Sequence, residues 1–343
     1  MKIDLSSLNF NELKEFVSEN GLPAYRSEQI FRWIARGVSS FDAMTDISKS
    51  LRETLSEKSY LTVLQTEKKL VSSDGTVKYL FTLADGEHIE TVVMNYEHGN
   101  SVCISSQVGC RMNCAFCASS LKGLKRNLTA GEMLAQVATV NREYSVSSVV
   151  VMGIGEPMDN YDNLLVFLDN ISNPKGLAIS LRHVSVSTCG VVPKINELAK
   201  KKLQLTLSVS LHAPDNETRD KIMPVNRKWN IETLIEACRN YTEETKRRIS
   251  FEYTLIKDVN DSVNHAETLA DLLRGMLAHV NLIPVNYVME RGFYPSSPEN
   301  IRRFFDTLKS RGINVTVRRT LGSDINAACG QLRHKTESGG KNI

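Results

Sequence analysis

No stretch of this chain reaches the roughly 18 consecutive apolar residues that a membrane-spanning helix needs, and MKIDLSSLNF at the start lacks the apolar segment of a secretory signal. A bilayer-spanning helix is excluded, so a cytoplasmic location and no membrane partner are expected. Charge of one sign is scarce as well. Lys and Arg number 42 against 39 Asp and Glu, a net +3, so the chain is no polycation and any nucleic-acid contact must come from local basic patches. Low-complexity composition is also missing. At 343 residues, 41% hydrophobic and 24% charged, the chain is ordered and can bury a large core. An odd count of seven cysteines in a reducing compartment argues against a disulfide framework and towards metal binding or catalysis.

Those cysteines are unevenly spread. Cys103, Cys110, Cys114 and Cys117 crowd together, Cys189 and Cys238 stand alone, and Cys329 lies near the end. The alternation of apolar runs sets the organisation around them. Residues 1–60 read as a helical, RNA-binding domain, with Leu13, Phe16 and Val17, then Ile30, Phe31 and Ile34, then Ile47, Leu51 and Leu55 at helical spacing. Arg26, Arg32, Arg36, Tyr25 and Trp33 are its candidates for touching RNA, although solvated charge and ordinary core aromatics are the favoured explanation of them. Residues 61–95 change to period two, with turn signals at Asp74-Gly75 and Asp85-Gly86, and predict a small antiparallel β element.

From 96 to 322, β-rich runs (148–152, 184–187, 205–211, 249–256, 280–285 and 315–317) alternate with helical stretches, one of them opened by a Thr129/Glu132 capping box. That order predicts an α/β fold with parallel strands. Six units are too few for a closed eight-fold barrel, so the expectation is a partial (β/α)6 barrel, open at the side, with chemistry at the C-terminal strand ends. Residues 323–343 form a Cys329 loop and a tail, expected to be disordered after Leu332.

The most informative segment is Cys110-Arg-Met-Asn-Cys114-Ala-Phe-Cys117. Three local thiolates leave a tetrahedral zinc site one ligand short, whereas on a cubane of four irons they leave one iron open to a small molecule. Structural zinc completed by His183 or His212, or three merely buried thiols, are the competing readings. Gly153-Ile-Gly155-Glu156-Pro157 follows a strand but is no dinucleotide fingerprint, because the third glycine is absent and a proline stands where a helix should open.

CxxxCxxC with an aromatic before the last Cys resembles the radical S-adenosylmethionine enzymes. The resemblance narrows with Cys103-Ile-Ser-Ser-Gln107-Val-Gly-Cys110, Met152-Gly-Ile-Gly-Glu156-Pro157, Ser187-Thr-Cys189-Gly190, Ser210-Leu-His212, Asn281-Leu-Ile-Pro-Val-Asn286 and Asp324-Ile-Asn-Ala-Ala-Cys329-Gly-Gln-Leu332. Together these resemble the RNA adenine methyltransferase (RlmN/Cfr) family over nearly the whole chain. The resemblance implies a partial β/α barrel with a 4Fe-4S cluster on Cys110, Cys114 and Cys117. It implies two S-adenosylmethionine molecules per turnover, one a methyl donor and one a radical source. Cys329 would carry the methyl group, and Cys103 would release the product, leaving a Cys103–Cys329 disulfide. Glu90 would accept the adenine proton. Gly155, Glu156, Ser187, Ser210, Leu211, His212 and Asn286 would contact S-adenosylmethionine.

The implied reaction is methylation of adenine C2 in 23S rRNA, at the peptidyl transferase centre, and in tRNA beside the anticodon. A C8-methylating resistance enzyme is the alternative within the family, and a zinc-stabilised, non-catalytic RNA-binding protein is the alternative outside it. An electron donor such as flavodoxin or ferredoxin and a monomeric state are expected. Lys122, Lys125, Arg126, Arg318 and Arg319 are the phosphate-contact candidates, and Cys189 and Cys238 are read as core thiols.

Overall fold

The structure is a computed structural model that describes residues 2–97 and 99–332. After a short strand at Ile3–Asp4 come three helices, α1 (Phe10–Glu19), α2 (Tyr25–Ala35) and α3 (Lys49–Lys58). Asn9 caps α1 by accepting from the backbone of Asn11 and Glu12, while the Glu12 carboxylate accepts from the Asn9 N–H. The apolar residues at helical spacing are all buried, but they do not close a core of their own. They belong to one continuous apolar cluster with the rest of the chain. Tyr25 is exposed, with Arg26 over its ring, whereas Trp33 donates its N–H to Asp46.

Ten strands form one sheet: β1 (Gln65–Val71), β2 (Val77–Thr82), β3 (His88–Tyr96), β4 (Gly99–Ile104), β5 (Val146–Val151), β6 (Val184–Thr188), β7 (Thr206–Ser210), β8 (Ile249–Leu255), β9 (Ala278–Pro284) and β10 (Val315–Val317). They lie side by side in chain order. β1 to β4 pair antiparallel, with tight turns at Gly75 and Gly86, and β4 to β10 pair parallel. The predicted parallel strands are all present. β4 adds one more, and it joins the two halves: Cys103 stands opposite Val92 on β3 and Val150 on β5. The antiparallel element is thus an extension of the barrel sheet. Helices α4 (Ala130–Tyr144), α5 (Tyr161–Ser172), α6 (Val192–Lys201), α7 (Asn216–Ile222), α8 (Ile231–Thr245), α9 (Val263–Leu272) and α10 (Pro298–Ser310) fill the connections between parallel strands. The Thr129/Glu132 capping box expected at the start of α4 is present on both sides.

Period two along the parallel strands sorts their side chains. Val184, Val186, Leu207, Val209, Phe251 and Tyr253 are fully buried. The alternate positions, Ser187 on β6, Ser210 on β7, and Glu252 and Thr254 on β8, face a cavity on the concave side. The tail expected to be disordered lies outside the described residues.

Candidate active site

The three-cysteine loop leaves the sheet just after β4 and is closed at its base by a clasp in which Gln107–Gly109 pairs antiparallel with Leu124–Asn127. Gly109 has φ +76°, and a Cβ there would stand 1.9 Å from the Gly123 carbonyl oxygen; only glycine fits. The loop backbone is pinned further out. Ala115 donates to the Ile222 carbonyl of α7 (2.8 Å), and Arg291 donates to the Cys117 carbonyl (3.0 Å). So fixed, Cys110, Cys114 and Cys117 line one cavity of about 960 Å³ of atom-free space, its mouth included. Burial pushes the Cys110 thiol up to about 12 and raises Cys114 as well.

Among the described residues no three His, Cys, Asp or Glu side chains come close enough to share a single metal ion. A cubane makes no such demand, since each thiolate sits on a different iron, and a buried set of three convergent thiols fits it. His183, one of the two histidines that a zinc site would recruit, is exposed and lines no part of the cavity. His212 does line it. Its Nδ1 accepts from the Thr254 N–H (2.9 Å), its ring meets Phe116 edge to face, and burial, helped by Arg219, lowers its pKa to about 3.

Gly155, Glu156, Ser187, Ser210, His212 and Asn286 all line this cavity. Leu211 is the exception. Alternation turns its side chain into the core, and only its backbone contributes, donating to the Glu252 carbonyl and accepting from Arg219. Gly155 (φ +112°) lies so close to Gln107 that a Cβ would come within 2.6 Å of it. Glu156 is buried, with one carboxylate oxygen accepting from the Met158 N–H (3.0 Å) and the other from the Cys189 N–H (2.7 Å). Burial pushes its carboxyl up against those bonds. The Cys189 and Thr188 side chains add to these bonds, and a carboxylate so placed can still face a cationic ligand.

Cys329 occupies the boundary of the site. It lines this cavity and also a second, smaller one, whose walls include Val92, Met94, Tyr96, Cys103, Leu321, Ala327 and Leu332. The segment carrying it is strapped across the barrel mouth. Asp324 accepts from the Ser72 hydroxyl and the Ser73 N–H, and Asp74 accepts from the Gly322 N–H. Ala118 donates to the Gly330 carbonyl, and the Asn286 amide donates to the Cys329 carbonyl (3.0 Å). Asn286 therefore touches the strap as well as the cavity.

Glu90 lines neither cavity. It is buried in an ion pair with Lys78 (3.0 Å), whose ammonium also donates to the Asn326 carbonyl of the strap. Arg318 lines both cavities, and the proximity of Cys329 raises its pKa. Arg126 is engaged by Glu132 and Asp85, and Lys125 by Glu87.

Glu252 and Thr254, which sequence reasoning passed over, also line the first cavity, and Cys189, buried in the core as expected, borders it too. The polar alternation Ser250-x-Glu252-x-Thr254 within an otherwise apolar strand was the available signal. Glu252 is held by the Ser250 hydroxyl and the Asn281 amide.

Comparison with known proteins agrees with this geometry. Residues 104–273 match the Radical SAM superfamily, and residues 3–61 match the ribosomal RNA large subunit methyltransferase N-terminal domain. A probable dual-specificity RNA methyltransferase RlmN of Alkaliphilus oremlandii is 53% identical, covering 97% of this chain and 98% of that protein. The protein of that same name in Bacillus subtilis is also 53% identical, over 96% of this chain and 92% of its own length. The crystal structure of a radical SAM methyltransferase from Sphaerobacter thermophilus superposes with a TM-score of 0.93 at 46% identity, covering 96% of this chain and 99% of that one.

Proposed function

The chain belongs to the RlmN family of radical S-adenosylmethionine RNA methyltransferases, and on that premise we propose that it methylates C2 of adenine in 23S rRNA, at the peptidyl transferase centre, and in tRNA beside the anticodon. Membership brings S-adenosylmethionine and a 4Fe-4S cluster with it. Cys110, Cys114 and Cys117 hold the cluster in this reading. Glu156 takes the ammonium of S-adenosylmethionine, Gly155 allows its close approach, and Ser187, Ser210, His212 and Asn286 surround it. When bound, the cluster supplies the electron that opens the sulfonium and yields a carbon radical.

The remaining chemistry falls to two sulfurs. Adenine C2 is electron-poor and cannot displace a methyl group from a sulfonium, whereas a thiolate can. Cys329 accepts the methyl from one S-adenosylmethionine, which leaves as S-adenosylhomocysteine, and a second molecule per turnover would supply the radical that takes a hydrogen atom from that S-methyl group before its carbon bonds to adenine. Arg318 places a cation against the sulfur that must carry negative charge while it attacks. Once the carbon is bonded to adenine, Cys103 attacks the Cys329 sulfur and frees the product. The resulting Cys103–Cys329 disulfide takes two electrons from an external reductant before the next turnover. Glu90 lies on the same face of β3 as Val92 and Met94, which line the second cavity, and is our candidate for the proton acceptor. A low-potential flavodoxin or ferredoxin is the proposed electron donor, and a monomer in the cytoplasm the proposed state.

The observation that carries this reading is the place of Cys329 on the wall common to both cavities, with the three cysteines on one side and Cys103 on the other. The test is nuclease digestion and mass spectrometry of rRNA and tRNA from a strain lacking this chain and from one expressing it. The expected product is 2-methyladenosine in both RNAs. 8-Methyladenosine alone would establish the C8 reaction instead, and unmodified tRNA would remove that substrate.

A further inference from the structure

Arg219, on α7, heads the large side chains that are fully buried among the described residues. Its guanidinium donates to the carbonyls of Leu211 (3.0 Å), Cys189 (2.7 Å) and Ser210 (3.1 Å) and to the amide oxygen of Asn226 (3.0 Å). Every one of these partners is neutral. Among the described residues no carboxylate forms an ion pair with it, although surface arginines such as Arg126 and Arg311 each pair with two. Its hydrogen bonds all run to dipoles, and the Asp220 carboxylate, which accepts from the Asn226 amide, acts on it through space without a direct ion pair; a buried cation so held lacks much of the stabilisation that a contacting counter-ion would give.

The position of this charge supplies a counter-ion. The guanidinium ties the ends of β6 and β7 at Cys189 and Ser210, both of which line the cavity shared by Cys110, Cys114 and Cys117. One turn further along α7, the Ile222 carbonyl accepts the N–H of Ala115, between Cys114 and Cys117. Arg219 therefore stands one layer behind the wall that carries the thiols. A cubane on three thiolates has net negative charge, and that charge grows when one electron enters. In a site shielded from water, a fixed cation acts on it strongly.

We propose that Arg219 is the protein's counter-charge to the iron–sulfur cluster, and that it raises the potential at which the cluster accepts an electron. This rests on the assignment of the cluster to Cys110, Cys114 and Cys117. The electron itself comes from an external one-electron reductant. Arg219 touches no reacting atom and is a positioning residue that works through charge.

The test is an anaerobic redox titration of the reconstituted full chain, with the reduced cluster read by electron paramagnetic resonance, in the wild type and in Arg219→Lys, Arg219→Gln and Asn226→Asp. The last variant leaves Arg219 in place and gives it an anion. Arg219→Gln and Asn226→Asp are expected to shift the oxidised-to-reduced ratio at fixed potential about tenfold towards oxidised, which is about 59 mV for a one-electron couple. Arg219→Lys is expected to stay near the wild type. Unchanged potentials in Arg219→Gln and Asn226→Asp, or an equal shift in all three variants, would overturn the proposal. If Arg219→Gln does not fold, Asn226→Asp decides alone. A wild-type chain that takes up no iron and sulfide would instead defeat the cluster assignment, an outcome that chemical analysis separates from the first.

Discussion

The two cavities that meet at Cys329 differ in how their polar groups are held. The first lies at the ends of parallel strands and sets polar groups among apolar ones, three of them tied down before any ligand arrives: Glu156 by two backbone N–H groups, Glu252 by Ser250 and Asn281, His212 by Thr254. The second is walled mainly by apolar side chains and completed by the strap itself, through Leu321, Ala327 and Leu332. Preorganised polar groups suit a charged cofactor, and an apolar wall keeps water from sulfur and carbon chemistry. Damage to the two should therefore separate into loss of cofactor binding and loss of methyl transfer.

The sharpest separation is expected from Cys103→Ala. S-adenosylmethionine binding should persist, free methylated RNA should fall below detection, and a covalent protein–RNA adduct should accumulate on a denaturing gel. Normal release of product would merge the roles of the two cavities. Gly155→Ala strikes the other side. A Cβ at φ +112°, pressed within 2.6 Å of Gln107, costs about 1–3 kcal/mol of strain, and S-adenosylmethionine binding measured by equilibrium dialysis should be lost while the iron content remains.

A smaller effect belongs to the strap. Burial works to raise the Asp74 carboxyl, but hydrogen bonds from the Gly322 N–H, Thr76 and Ser72 outweigh it and hold the group down at about 2. A lowered carboxyl stabilises docking fully above its ordinary value of 3.8, and that contribution is lost as the pH falls through about 2. Between pH 5 and 9 the attachment does not titrate. Asp74→Ala should slow methyl transfer several-fold, leave S-adenosylmethionine cleavage unchanged, and follow the same pH profile as the wild type. The smallest change is expected from Thr129→Ala, which removes the α4 cap at a residue that lines neither cavity. It should lower stability by about 1 kcal/mol in denaturant unfolding with activity retained.

Much of this was legible in the sequence, because short-range spacing carries it. The helical periods of the first sixty residues, the Asp-Gly turns, the Thr129 cap and the three-cysteine loop all depend on near neighbours. What could not be read depends on contacts between distant segments. β4 joins the antiparallel and parallel halves through pairings with both β3 and β5, and no local pattern announces that. Arg318 and Arg319 are adjacent basic residues in the sequence, yet Arg318 alone lines the first cavity beside Cys329. Arg219 sits in a short helix rich in charged residues, and only the tertiary structure separates it from its solvated neighbours. Leu211 was carried along with Ser210 and His212, although a strand alternates its faces and a residue between two site residues points away from the site.

The central claim is that the carbon delivered to RNA first resides on Cys329. Incubating the reconstituted chain with methyl-labelled S-adenosylmethionine in the absence of RNA, digesting it, and sequencing the Cys329 peptide by mass spectrometry tests that claim directly. A single labelled methyl on the Cys329 sulfur, which passes to RNA when RNA is added with unlabelled S-adenosylmethionine, is the predicted result. A chain that labels RNA while Cys329 never carries the methyl group would contradict it.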